Sequence, residues 1–141
     1  MSKGVSGGLE MKVAPKLARW LFAVSSIYGV AVLSPLYFLE ADIAKASAAF
    51  THPEYFYGFI GTALSAQIMF FIIAYDPLRF RPAMLFAVLE KLAFAIPVFI
   101  LATSGRASGA VVVFGAIDMM WAISFTSAWI ATAKAAREVS L

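Results

Sequence analysis

The chain has 141 residues, of which 62% are hydrophobic and only 13% charged, with a formal net charge of +3. A water-soluble domain of this size carries about 25% charged residues, so most of this surface must face an apolar medium, and the composition is that of a membrane protein. With no cysteine and a single histidine, His52, disulfide frameworks, thiolate metal sites, CxxC redox chemistry and bis-histidine haem ligation within one chain are excluded.

The first segment, residues 1–16 ("MSKGVSGGLEMKVAPK"), is rich in Gly and Ser and is expected to be a flexible cytoplasmic arm. An apolar run follows at about 17–39. Its length exceeds the 7–15 residues of a typical signal-peptide core, so it is read as a retained transmembrane helix. The connection "EADIAKASAAF" is Ala-rich and suits a short interfacial helix. In "THPEYFYG", Thr51 stands three residues before Glu54 in a capping-box pattern, with Pro53 in the first turn of a second span at about 55–75. The prolines of "YDPLRFRP" end that span near Asp76 and start a third near Pro82, running to about 103. "TSGRASG" is a tight turn whose Ser108 can cap a fourth span, 108–131, ahead of a short tail at 134–141. Four runs of about 20 residues or more each match a ~30 Å hydrocarbon core crossed by a helix. The expected fold is therefore all-α: a four-transmembrane-helix bundle over residues 17–133 with no soluble domain.

Orientation follows from the basic residues. With both termini cytoplasmic, Lys3, Lys12, Lys16, Arg19, Arg79, Arg81, Lys134 and Arg137 fall inside, and only Lys45 and Arg106 outside. That asymmetry obeys the positive-inside rule and assigns the protein to a multi-pass position with both termini inside. The positives flank apolar runs rather than forming a polyanion-binding face, so nucleic acid is not an expected partner.

The sharpest feature is a set of polar residues at one depth. At ~1.5 Å per residue, Glu90 lies about 12 Å beyond Pro82, Asp118 about 15 Å beyond Ser108, and Gln67 about 18 Å beyond Tyr55. Ser25, Ser26 and Tyr28 on the first span fall at a matching height, about 9–14 Å above Arg19. Glu90, Asp118, Gln67, Tyr28, Ser26 and Lys91 are therefore the candidate intramembrane binding or proton site. Asp118 shares a helical face with Gly115 and Ala122, and Glu90 with Ala83 and Ala87, small residues that let neighbouring helices approach. Lys91 lies about 100° around the helix from Glu90 and has two options. It can snorkel to the cytoplasmic headgroups, or turn inward to pair with Glu90 or Asp118. Arg79 and Arg81 are expected to contact headgroups or a partner protein. Trp20, Tyr55 and Tyr57 sit near span ends as interfacial aromatics.

Intramembrane acids are functional-site candidates by default, yet they also hold bundles in register. No nucleophile elbow, phosphate-binding Gly loop or HExxH motif is present. The leading reading is a non-enzymatic accessory subunit or self-associating bundle with no cofactor and no metal site. Its expected partners are the lipid bilayer and either another membrane protein or further copies of itself. The alternative is a proton-coupled carrier or lipid/amine binder using Glu90 and Asp118, and the third a small membrane-embedded acid–base enzyme.

The stretch "EYFYGFIGTALSAQIMFFIIAYDPLRFRPAMLFAVLEKLAF", with "AIDMMWAISF" in the fourth span, resembles a group of small uncharacterised bacterial membrane proteins. They share a YGF start to the second span, a DPxRxRP loop, an LEK segment in the third and an acidic residue in the fourth. The resemblance covers about residues 54–130 and implies a four-helix bundle in the bacterial inner (cytoplasmic) membrane. It implies no activity and transfers no catalytic residue. Small multidrug-resistance exporters and DoxX-like proteins share only the architecture: the first span here lacks the exporters' carboxylate, and the glycine pattern of the second group is missing.

Overall fold

The computed structural model describes residues 3–46 and 52–139, with side chains described for 13–45 and 52–138. Every regular element among the described residues is a helix: α1 (Lys3–Leu33), a 3₁₀ turn (Ser34–Phe38), α2 (Glu40–Ala46), α3 (Pro53–Tyr75), α4 (Ala83–Thr103), α5 (Gly109–Ala131) and α6 (Ala133–Val139). Four are long and apolar enough to cross a membrane, over Val13–Phe38, Pro53–Tyr75, Ala83–Thr103 and Gly109–Ala131.

Local chemistry sets most of the boundaries. α1 gives way to the 3₁₀ turn where Pro35 follows Ser34, because proline has no N–H to continue the α-helical bonding. At its other end α1 begins at Lys3 and continues through Pro15, well before the expected start near residue 17. The short helix expected in the Ala-rich connection is α2. The Thr51 capping residue lies outside the described residues; the N-cap of α3 is His52, whose Nδ1 lies 2.9 Å from Glu54 Oε1, with Pro53 opening the helix. α3 stops at Asp76, whose carboxylate accepts from the Arg79 N–H at 3.1 Å to build the turn. Ser108 caps α5 by accepting from Val111 N at 3.4 Å.

The end of α4 shows why "TSGR" turns so tightly. Gly105 adopts φ +68°, the left-handed conformation that glycine enters without steric cost. Arg106 N then donates to Leu101 O at 2.9 Å and Gly105 N to Ala102 O at 3.0 Å. Those two bonds are the paired closures of a Schellman motif, and they satisfy carbonyls the helix would otherwise leave open.

α4 packs most extensively on α5, and α1 on α3; the two pairs then meet through α1–α5 and α3–α4 contacts. Each pair uses a narrow stripe. α4 buries Met84, Ala87, Lys91, Ala95 and Val98, spaced 3, 4, 4 and 3 apart. α5 buries Gly115, Ala122 and Phe125. Gly115 lets the two helices close up: a Cβ there would stand 2.9 Å from Val98 Cγ1. The apolar core fills the half of the bundle containing the α3–α4 turn. Phe22 stacks on Phe125 with centroids 4.3 Å apart, and Phe70 meets Phe125 edge-on at 5.2 Å. Ala18, Ile73, Met84 and Ala87 pack around those rings. The outer faces are apolar, with Trp20, Ile68, Leu89 and Ile123 all exposed.

Candidate functional site

The polar residues divide between the two helix pairs. On the α4–α5 side, Lys91 lies on the buried stripe of α4 and turns inward. Its Nζ is 3.0 Å from Glu90 Oε2 and 3.4 Å from Asp118 Oδ1, with the Lys91 side chain 8% exposed, Glu90 18% and Asp118 17%. A third contact comes from α3, where the Phe70 ring lies 5.3 Å from the ammonium in a cation–π arrangement. Lys91 is thus held by groups from three helices, and the snorkelling option is not the one adopted. Glu90 occupies the flank of the stripe rather than its centre. Its Oε2 is within ion-pair distance of Lys91 but not in hydrogen-bonding geometry, as expected for neighbours about 100° apart on one helix.

The α1–α3 side is uncharged. Ser26 Oγ donates to the Gln67 backbone carbonyl at 2.8 Å. The Gln67 side chain is fully buried, and its Nε2 donates to Ala63 O one turn back at 3.0 Å. Gly29 makes room for it, since a Cβ at that position would collide with the Gln67 carboxamide. Gln67 Oε1 and Ser25 Oγ are buried with no hydrogen-bond partner. Tyr28 is half-buried with its ring 6.2 Å from that of Trp121 on α5, so it belongs to the seam between the pairs.

Taken together, Glu90, Lys91 and Asp118 are one ion triad, Ser26 and Gln67 one neutral pair, and Tyr28 lies between them. The triad contains two carboxylates and one ammonium, so it is neutral only when it holds one additional proton. It can clamp α4 to α5 or take up and release that proton. Among the described residues no group of three or more His, Asp or Glu side chains is placed to hold a metal ion.

The two arginines of the α3–α4 turn differ. Arg81 donates through Nε and Nη2 to Trp129 O, at 3.2 and 2.7 Å, with its guanidinium 4.6 Å from the Trp129 ring centroid. It therefore closes the last turn of α5. Arg79 lies beside Phe80, 5.5 Å from the ring centroid. Arg19, not singled out in sequence, does for α3 what Arg81 does for α5, donating to Tyr75 O at 3.1 Å.

Phe70, Gly29 and Trp129 were likewise not candidates from sequence alone. A signal for Lys91 did exist: Met84, Ala87, Ala95 and Val98 form a 3-4-4-3 series that places Lys91 at its centre. For Gly29 the only sign is a small residue at Gln67's depth.

In comparisons with known proteins, no family model, curated protein or solved structure matches this chain.

Proposed function

We propose that the chain is a multi-pass protein of the bacterial inner membrane with both termini cytoplasmic, acting as a non-enzymatic bundle: an accessory subunit or a self-associating unit. The four apolar helices and their exposed apolar faces support membrane residence. The basic residues favour the inward termini, and the resemblance in "YGF…DPxRxRP…LEK" favours the bacterial inner membrane. The observation that carries the non-enzymatic reading is Lys91 itself. Its ammonium occupies the space between Glu90 and Asp118 that a substrate amine or cation would need. A triad closed in this way serves to lock α4 against α5 and leaves the outer faces for partners.

Pull-down from mild detergent tests this reading. A stoichiometric partner or a defined homo-oligomer is expected; a monodisperse monomer would count against it. Sidedness is testable because the chain has no cysteine. A cysteine placed at Lys134 is expected to resist a membrane-impermeant maleimide in intact cells, and one at Arg106 to react.

A specific observation favours a second reading, a proton-coupled carrier. The triad has one carboxylate more than its ammonium can neutralise, and the buried Gln67 Oε1 has no donor. Reconstituted Glu90→Gln and Asp118→Asn variants that fold normally should then lose proton-coupled flux; unchanged flux would discard the carrier.

A further inference from the structure

Away from the triad, a cleft of about 530 Å³ opens at the end of the bundle that carries the α3–α4 turn. It is lined by Arg81, Trp129, Ile130, Ala133, Ala136 and Arg137. We propose that this cleft binds the phosphate of an anionic phospholipid headgroup, with the lipid's first acyl carbons along Ile130. The inference rests on the membrane reading above.

Three features of the cleft select that ligand. The first is charge. Two arginines line one opening from different elements, Arg81 from the α3–α4 turn and Arg137 from α6. A guanidinium has five N–H donors, and Arg81 spends two on Trp129 O. Nη1 and one Nη2 hydrogen remain, fixed in direction because the Trp129 contacts hold the plane of the group. A fork of planar donors suits phosphate oxygens.

The second feature removes an objection. The C-terminal end of a helix repels anions through its open carbonyls, and the cleft lies against the end of α5. Two of those carbonyls are already engaged: Ala128 O accepts from Thr132 N at 3.0 Å and Thr132 Oγ1 at 2.8 Å, and Trp129 O accepts from Arg81. The nearest acid in sequence, Glu138, is exposed and does not line the cleft.

The third feature separates a lipid from a soluble phosphate. Ile130 is 61% exposed, and Ala133 and Ala136 continue the apolar wall beyond it. α5 ends at Ala131, so the guanidiniums stand at the depth where a spanning helix meets the headgroups. Inorganic phosphate leaves that wall uncovered, whereas the glycerol and first methylenes of a phospholipid cover it.

The test uses the full chain in detergent–lipid mixtures, with native mass spectrometry counting retained phosphatidylglycerol against phosphatidylcholine. Wild type should retain the anionic lipid preferentially. Arg137→Gln, which leaves the Arg81–Trp129 closure intact, should weaken retention about fivefold, as expected for the ~1 kcal/mol of one basic group at a membrane surface. Arg81→Gln should weaken it at least as much, with circular dichroism confirming that the helices persist. Lys134→Gln, on α6 but outside the cleft, should change little. Equal retention of the two lipids, or an equal loss in Lys134→Gln, overturns the site. Displacement of the lipid by millimolar inorganic phosphate overturns the lipid assignment in favour of a soluble anion. A chain that alkaline carbonate washes off membranes overturns the membrane reading and this inference together; a chain that stays inserted but shows no lipid preference overturns this inference alone.

Discussion

The α1–α3 and α4–α5 pairs bury polar groups by opposite means. In α1–α3 the groups are neutral, and each needs little: Ser26 reaches one carbonyl, and Gln67 folds back on its own helix into the notch left by Gly29. In α4–α5 they are charged, and each depends on the others. Lys91 has Glu90, Asp118 and the Phe70 ring around it, and removing the lysine leaves two carboxylates without a cation in an apolar surrounding. A neutral buried group tolerates an imperfect set of partners at a modest cost, as Gln67 Oε1 and Ser25 Oγ do. A charged one does not. The contrast also explains why the tight backbone approach at Gly115 belongs to the charged pair, since holding Asp118 within 3.4 Å of Lys91 requires α5 to stay close to α4.

The largest effect should come from breaking the charged pair on one side only. Lys91→Met leaves two facing carboxylates without a cation and should destabilise the bundle by about 3–5 kcal/mol, measured by unfolding in mixed micelles. Replacing Glu90 and Asp118 with leucine in the same background should recover most of that loss, because an apolar triad of similar volume strands no charge. If Lys91→Met alone is silent, the triad does not organise the α4–α5 pair.

Next in size is the notch of the neutral pair. Gly29→Ala places a methyl group against the Gln67 carboxamide, and should cost about 1–3 kcal/mol as an overpacked contact. Combining it with Gln67→Ala should relieve the clash, so the double variant should be more stable than the sum of the singles in a double-mutant cycle. Additivity would show that Gln67 moves aside freely and that the notch constrains nothing.

The smallest effect is expected at Ser26. Ser26→Ala removes one hydrogen bond to a carbonyl that also accepts within its own helix, and should cost about 0.6 kcal/mol, the mean for polar contacts between membrane helices. A loss as large as that of Lys91→Met would erase the distinction between the pairs.

Several elements were legible in the sequence because their causes are local. The break at Asp76, the restart at Pro82 and the Ser108 cap each follow from residues within a turn of the boundary. The span count follows from the length of the apolar runs. The reach of α1 back to Lys3 was not legible, because the Gly/Ser composition there argues for an open chain. The rise per residue gave each polar residue an expected depth, and the contacts the structure shows are those of Glu90 and Asp118 with Lys91 and of Ser26 with Gln67. That division into a triad and a neutral pair was not legible, because depth carries no information about which neighbour a side chain faces.

Composition and periodicity alone thus determined an all-helical chain with four helices of membrane-crossing length. Which way Lys91 points depended on where α3 and α5 lie. A lysine stem can carry its charge toward the helix end or into the bundle at similar local cost. Only the placement of Asp118 and Phe70 from two other helices makes the inward arrangement the better one. Arg81 follows the same logic. Its sequence neighbours suggest a loop anchor, while the end of α5, 48 residues away, supplies the carbonyl and ring that hold it.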